Sequence, residues 1–459
     1  VSDSGFALPK STVNDGDTTD ITLTLGMNAD GGRGNATMYI GYRDIDELLQ
    51  SERDYSACAI ASGDIFDFCF GSSSASPARF QQVEQIGVGL APGAELPVTA
   101  MTPRGPNGEL IPFTNDHLFN YAPFNHYQRP DTRWTAGVFA HYDLNEKATA
   151  YGEFQFMDDR TDAQIAPSAA FRGSGPPSQN GAYSVNCDNP FLEADQFDYI
   201  CTQQGLGGTD DALISIGRRL TEGGGRSNNL VHTSYRAVAG MRGDFTDNWS
   251  YDGYVMYGTT NYESTYRNDV SLTRIGNALN AVTDGLGNIV CRVNADADPT
   301  NDDPRCVPMD IFHGPDDVSQ AAVNYVSVPA FQNGRTTQWV VSGAVTGDLT
   351  DAGIKLPAAD SGLGVAFGAE YRREKSEFYN DVLFATGGLV GQGGAVLDTI
   401  GEFDVREIFT EARLPLVQGR TGFESANIEV GYRYSDYDLE FDTNTWKVGG
   451  DWEPVESIR

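Results

Sequence analysis

The chain has 459 residues, 40% of them apolar, with a mean hydropathy of −0.36. A formal charge of −33, from 64 acidic against 31 basic residues, excludes nucleic acid as a partner, because phosphate binding depends on Lys and Arg. No uninterrupted apolar run approaches the roughly 18 residues of a spanning helix, which excludes a helical membrane protein; the 11% of aromatic residues excludes a disordered acidic chain.

The first residues, Val-Ser-Asp-Ser-Gly, show no initiator Met, basic stretch or apolar stretch, so no signal peptide is read here. Residues 20–29 place Ile21, Leu23, Leu25 and Met27 on one face and Thr22, Thr24 and Asn28 on the other, the period of a strand. A glycine-rich turn at 30–34 leads to a return strand, 35–45. There Ala36, Met38, Ile40 and Tyr42 oppose Thr37, Tyr39 and Arg43. After a long linker, 132–144 and 147–157 form a second hairpin, with Ala150, Gly152, Phe154 and Phe156 opposite Tyr151, Glu153 and Gln155. A third hairpin joins 230–244 to 249–262. Ala237, Ala239 and Met241 oppose Arg236 and Arg242; Tyr251, Gly253, Val255 and Tyr257 oppose Asp252 and Tyr254.

Five further strands are predicted at 336–347, 362–378, 402–416, 426–437 and 443–453. Val365, Phe367, Ala369 and Tyr371 face away from Glu370 and Arg372. Ile428, Val430, Tyr432 and Tyr434 face away from Glu429 and Arg433, and Trp446, Val448 and Trp452 from Lys447 and Asp451. Two segments resist a simple reading: 336–347 is apolar on both faces, and 402–416 changes phase near Glu407.

Three long linkers, near 46–131, 158–229 and 263–335, alternate with tight turns and hold all six cysteines. These fall into couples 11, 14 and 15 residues apart: Cys58 with Cys69, Cys187 with Cys201, Cys291 with Cys306. Pairing within each linker is expected, in an oxidising compartment, as staples on outer loops.

About eleven strands of bilayer-crossing length, with short and long connections in alternation, predict an all-β fold: an antiparallel transmembrane β-barrel, here an open partial barrel. Charges of both signs at mid-strand mark the face opposite the apolar one as the lumen side. The lumen-facing candidates are Arg43, Glu153, Gln155, Arg236, Arg242, Asp252, Glu370, Arg372, Glu411, Arg413, Glu429 and Arg433. Trp134, Tyr142, Trp249, Tyr257, Tyr262, Trp339, Phe378, Trp446 and Trp452 lie near strand ends and are expected to form interfacial girdles.

Several stretches resemble TonB-dependent receptors of the bacterial outer membrane: NATMYIGYRDIDELLQSERDYSACAI (35–60), YAPFNHYQRPDTRWTAGVFAHYDLNEKATAYGEFQF within 119–158, VAFGAEYRREK (365–375), FTEARLPLVQ (409–418) and NIEVGYRYSDY (427–437). The resemblance covers nearly the whole chain and is closest to large alphaproteobacterial receptors. It implies a barrel of about 22 strands around an N-terminal plug, monomeric when complete. It further implies uptake of a small nutrient (siderophore, vitamin or oligosaccharide) energised by the inner-membrane TonB complex through the N-terminal region. Against that pattern no plug or TonB-box segment is visible in this sequence, nor the terminal aromatic residue, so a partial barrel domain over 1–459 is expected. Outer-membrane lipid is the implied surrounding.

No catalytic residues and no cofactor are expected, since no nucleophile motif occurs. His117, His126, His141, His232 and His313 lack metal-ligand spacing. The acidic stretch 294–303 is read as a solvated loop rather than a calcium site, 387–394 as a flexible glycine loop, and 317–328 as a short helix in an outer loop. Two other readings stand beside the receptor: a passive porin-like or structural outer-membrane barrel, and a secreted β-sandwich binding protein.

Overall fold

The computed structural model describes residues 13–61, 68–83, 100–104 and 107–458. Its frame is one antiparallel sheet of eleven strands, each paired with the next in chain order. We number them β1 (Thr18–Asn28), β2 (Gly34–Ile45), β3 (Asp131–Asn145), β4 (Ala148–Ile165), β5 (Arg226–Thr246) and β6 (Trp249–Val270). Then follow β7 (Ser327–Asp348), β8 (Gly364–Asn380), β9 (Thr399–Arg420), β10 (Phe423–Tyr437) and β11 (Phe441–Glu453). Strands β1 and β11 are the two edges and do not pair with each other, so the sheet is open. No helix among the described residues is long and apolar enough to cross a membrane.

Local chemistry explains the hairpins. Gly31 at φ 70° and Gly422 at φ 79° supply the left-handed backbone that tight turns require and that a β-carbon disfavours. The strands run further than their alternation alone suggests, chiefly at the end that carries the long connections. Strand β4 continues to Ile165, β6 to Val270, and β7 starts at Ser327. Their outer parts are rich in Thr, Asn and Gln, so the period of apolar residues fades while the ladder continues.

The two unclear segments resolve into one rule. Strand β9 pairs with β8 without interruption from Thr399 to Arg413, and its irregularity falls at Pro415–Val417 rather than near Glu407. Register puts Val405, Glu407, Phe409, Glu411 and Arg413 on one face. Phe409 belongs there because its ring lies flat over Gly368, where a β-carbon would collide with it, and Arg433 stacks on the ring at 5.1 Å. In β7, Val340 sits on the same face beside Met256 and Val238, all three buried as a small apolar island.

The four longest connections leave one rim: residues 46–130, 166–225, 271–326 and 381–398. They form a cap with its own sheet, ordered Ala169–Ala170, Asp211–Arg219, Arg79–Gln82, Ala100–Arg104, Glu109–Pro112, with Tyr183–Asn186 also paired to Asp211–Arg219. Helices α1 (Ala194–Ile200), α2 (Leu272–Leu279), α3 (Gln320–Val326) and α4 (Val382–Ala385) complete it. The cap's core joins Phe80, Ile200, Ile214, Ile216, Leu279 and Phe312, all fully buried. Disulfides Cys58–Cys69, Cys187–Cys201 and Cys291–Cys306 each close a loop within one connection.

Candidate functional site

The apolar face of the large sheet is covered by no other part of the described chain. Leu23, Phe367 and Val430 keep 54%, 52% and 46% of their surface open. Aromatic pairs run across strands on this face: Tyr42–Trp134 at 4.7 Å, Tyr257–Trp339 at 4.6 Å and Tyr432–Trp446 at 4.4 Å. Tyr262 and Phe378 depart from the girdle expectation. Through Gly334 the register places both on the opposite, charged face, where their rings stack at 5.8 Å.

Cross-strand partners point the same way in an antiparallel sheet. Followed from strand to strand, the register sets Arg43, Glu153, Gln155, Arg236, Arg242, Asp252, Glu370, Arg372, Glu411, Arg413, Glu429 and Arg433 on one face. Arg236 pairs with Glu153 at 2.7 Å across β5 and β4. Arg413 lies 3.6 Å from Glu429 and 3.3 Å from Asp451. Tyr151 donates to Asp252 at 2.9 Å and its ring carries Arg242 at 5.6 Å. Arg43 Nε is buried without a hydrogen-bond partner among the described residues. Glu411 stands opposite Gly431 in the ladder, with no ion pair among the described residues.

The hub of this face was missed in sequence. Glu407, 5% exposed, accepts from Ser435 and lies 3.9 Å from Arg372 and 3.5 Å from Arg433. Arg372 also reaches Glu370 at 3.7 Å and Glu374 at 3.3 Å. A strict every-second-residue count from Glu411 and Arg413 back to Glu407 would have found it; the aromatic Phe409 between them broke the pattern. Between β2 and β8 the face holds a cavity of about 560 Å³, bordered by Tyr39, Gln155, Ser234, Arg236, Thr260 and Gln338. Hydroxyls, amides and paired ions make this a surface for polar contacts.

The cap departs from the picture of separate stapled loops. Arg79–Gln82 of the first connection pairs with Asp211–Arg219 of the second, and the Phe80 ring stacks at 5.5 Å on Phe312 of the third. Gln196, fully buried, donates to the carbonyls of Gly108 and Phe312 and so ties all three. His313 lies 2.8 Å from Asp310 and 3.5 Å from Glu193. His126 approaches Glu47 at 3.3 Å and His232 approaches Asp159 at 3.9 Å; His117 bonds Thr114, and His141 pairs with Asn35 in the ladder. The segment 387–394 is built in rather than flexible: Leu389 and Val390 are buried, and the Gly391 carbonyl accepts from Arg226. In the acidic stretch, Asn294 and Asp303 close on each other by two hydrogen bonds. Among the described residues no group of three or more His, Cys, Asp and Glu is placed to hold a metal ion.

A long antiparallel sheet, apolar and uncovered on one face and charged on the other, defines the class of an open β-barrel segment. No family model and no characterised protein sequence matches the chain. Among solved structures it is similar to a mutant of the ferric enterobactin receptor of Pseudomonas aeruginosa, with 12% identity and a TM-score of 0.42 over 96% of this chain and 40% of that one. It is similar to the ferric-catecholate import receptor Fiu of E. coli, with 11% identity and a TM-score of 0.40 over 96% of this chain and 50% of that one. The siderophore receptor PirA of Acinetobacter baumannii gives 9% identity and a TM-score of 0.41 over 97% and 40%. The chain thus spans half or less of the length of these structures.

Proposed function

We propose that this chain is a partial barrel domain of a bacterial outer-membrane receptor. It would capture a scarce nutrient on its cap and admit it along the charged face, with energy from the inner-membrane TonB complex. The observation that carries the reading is the uncovered apolar face. Rows such as Leu23, Ile40, Phe367, Val430 and Val448 are matched to hydrocarbon, because exposing so much contiguous apolar surface to water is unfavourable. The twelve charged-face residues would then border the interior, and the cap would stand outside the cell, where its disulfides persist. A nutrient that enters by this route, whether siderophore, vitamin or oligosaccharide, would meet the cap first.

The test has two parts. The complete protein should fractionate with outer membranes and need detergent for solubility; a detergent-free soluble monomer would refute the membrane assignment. Deleting its gene should abolish uptake of one scarce nutrient, and a strain lacking TonB should show the same loss. Uptake independent of TonB would instead support a passive channel.

A further inference from the structure

The cap is strongly acidic, yet two of its arginines meet without a carboxylate among the described residues. Strand residues Arg79 and Gln81 share one face of the cap sheet, while Phe80 between them turns into the core. Opposite Arg79 in the register stands Gly217. A β-carbon there would lie 2.8 Å from the Ser73 carbonyl and 3.2 Å from Arg172 Cγ, so the bare glycine lets the Arg172 stem cross the sheet. Both guanidiniums then donate to one neutral acceptor, Gln81 Oε1, from Arg79 at 2.9 Å and from Arg172 at 3.4 Å. Arg172 also donates to Ser73 at 3.2 Å, and Arg79 lies over the Phe113 ring at 5.3 Å.

Arg79 Nε and Nη1 are buried with no acceptor among the described residues. The cap's ion pairs use Arg53, His126, Arg218, Arg292, Arg305 and His313; among the described residues neither Arg79 nor Arg172 has one. Burial, and then the neighbouring Arg172 charge, push Arg79 down to about 10; burial lowers Arg172 as well. Two cations held together in a chain with twice as many acids as bases are an uncompensated arrangement that an anion would relieve. Arginine forks match the geometry of carboxylate and phosphate oxygens.

We propose that Arg79 and Arg172 form a binding site for the oxyanion group of a small molecule, a carboxylate or a phosphate, which enters from the exposed Arg172 side. The site stands on the cap alone and needs neither a membrane nor an uptake step, so its failure would leave the receptor reading intact.

Isothermal titration of the full chain in detergent micelles with inorganic phosphate, and separately with citrate, tests it and tells the two anions apart. Saturable binding of at least one is expected, weakened at least tenfold by Arg172→Gln and by Arg79→Gln, and unchanged by Arg104→Gln on the exposed strand end nearby. Arg172 is exposed, so its variant reports even if Arg79→Gln disturbs the cap. Absence of saturable binding of either anion at millimolar concentrations, or equal binding by wild type and Arg172→Gln, would overturn the proposal.

Discussion

The large sheet and the cap are built from the same alternating strands, yet they dispose of their apolar side chains in opposite ways. In the cap, Phe80, Ile214, Ile216 and Phe312 close on one another and on helices α2 and α3 until no surface is left. In the sheet, Phe367, Val430 and Val448 point away from every other part of the described chain. Alternation makes a strand in both; what the apolar side touches is a separate matter. The cap carries its own core and its own cross-links. The sheet is held by its ladder and by ion pairs around Glu407, and its outer surface awaits a partner.

This contrast can be broken most forcefully in the cap. Phe312→Ala should cost the cap about 3–5 kcal/mol through the cavity it leaves. Limited proteolysis should then cut residues 166–225 and 271–326 while the eleven strands stay resistant. Loss of protection throughout the sheet would mean that the two regions are one cooperative unit. Next in size, on the proposed membrane-facing reading, Phe367→Arg should cost up to roughly 4 kcal/mol in refolding into bilayers, the penalty for a cation in hydrocarbon, which falls toward the interfaces.

A smaller effect should follow pH. Burial disfavours the imidazolium of His313, but Asp310, with Glu193 and Asp317, more than offsets it and raises its pKa above the ordinary value. Burial likewise pushes Asp310 up. A raised histidine pKa stabilises fully below about pH 6.5 and loses that contribution as pH rises through the folded value. Hydrogen exchange at 308–317, corrected for intrinsic rate, should therefore quicken as pH rises above about 6.5, and His313→Phe should flatten the dependence. The smallest effect is the control on the charged face. Ser342→Arg, beside Glu370 in the ladder, should change stability by no more than about 0.5 kcal/mol. A cost equal to that of Phe367→Arg would erase the distinction between the two faces.

Much of the sheet was legible because its signals are local. Period-two alternation marked the inner part of most long strands, and a glycine-rich turn marked the first hairpin. The candidate lumen residues fell on one face because most had a non-polar neighbour on either side, as Glu429 has Ile428 and Val430. Legibility failed where a side chain takes its place from a neighbouring strand. Phe409 faces the charged side to cover Gly368, and Val340 does so to meet Met256 and Val238. Tyr262 and Phe378 follow their register rather than a girdle.

The sequence by itself determined the strands, their two chemistries and the three cysteine couples, because each depends on residues near in the chain. Only the tertiary structure decided that Glu407 is the centre of the charged face and that the connections interlock. Gln82 pairs with Ile214, and Phe80 stacks on Phe312. Such contacts close loops of more than a hundred residues and leave no local periodicity, so the ladder and the core select them only once the chain has folded.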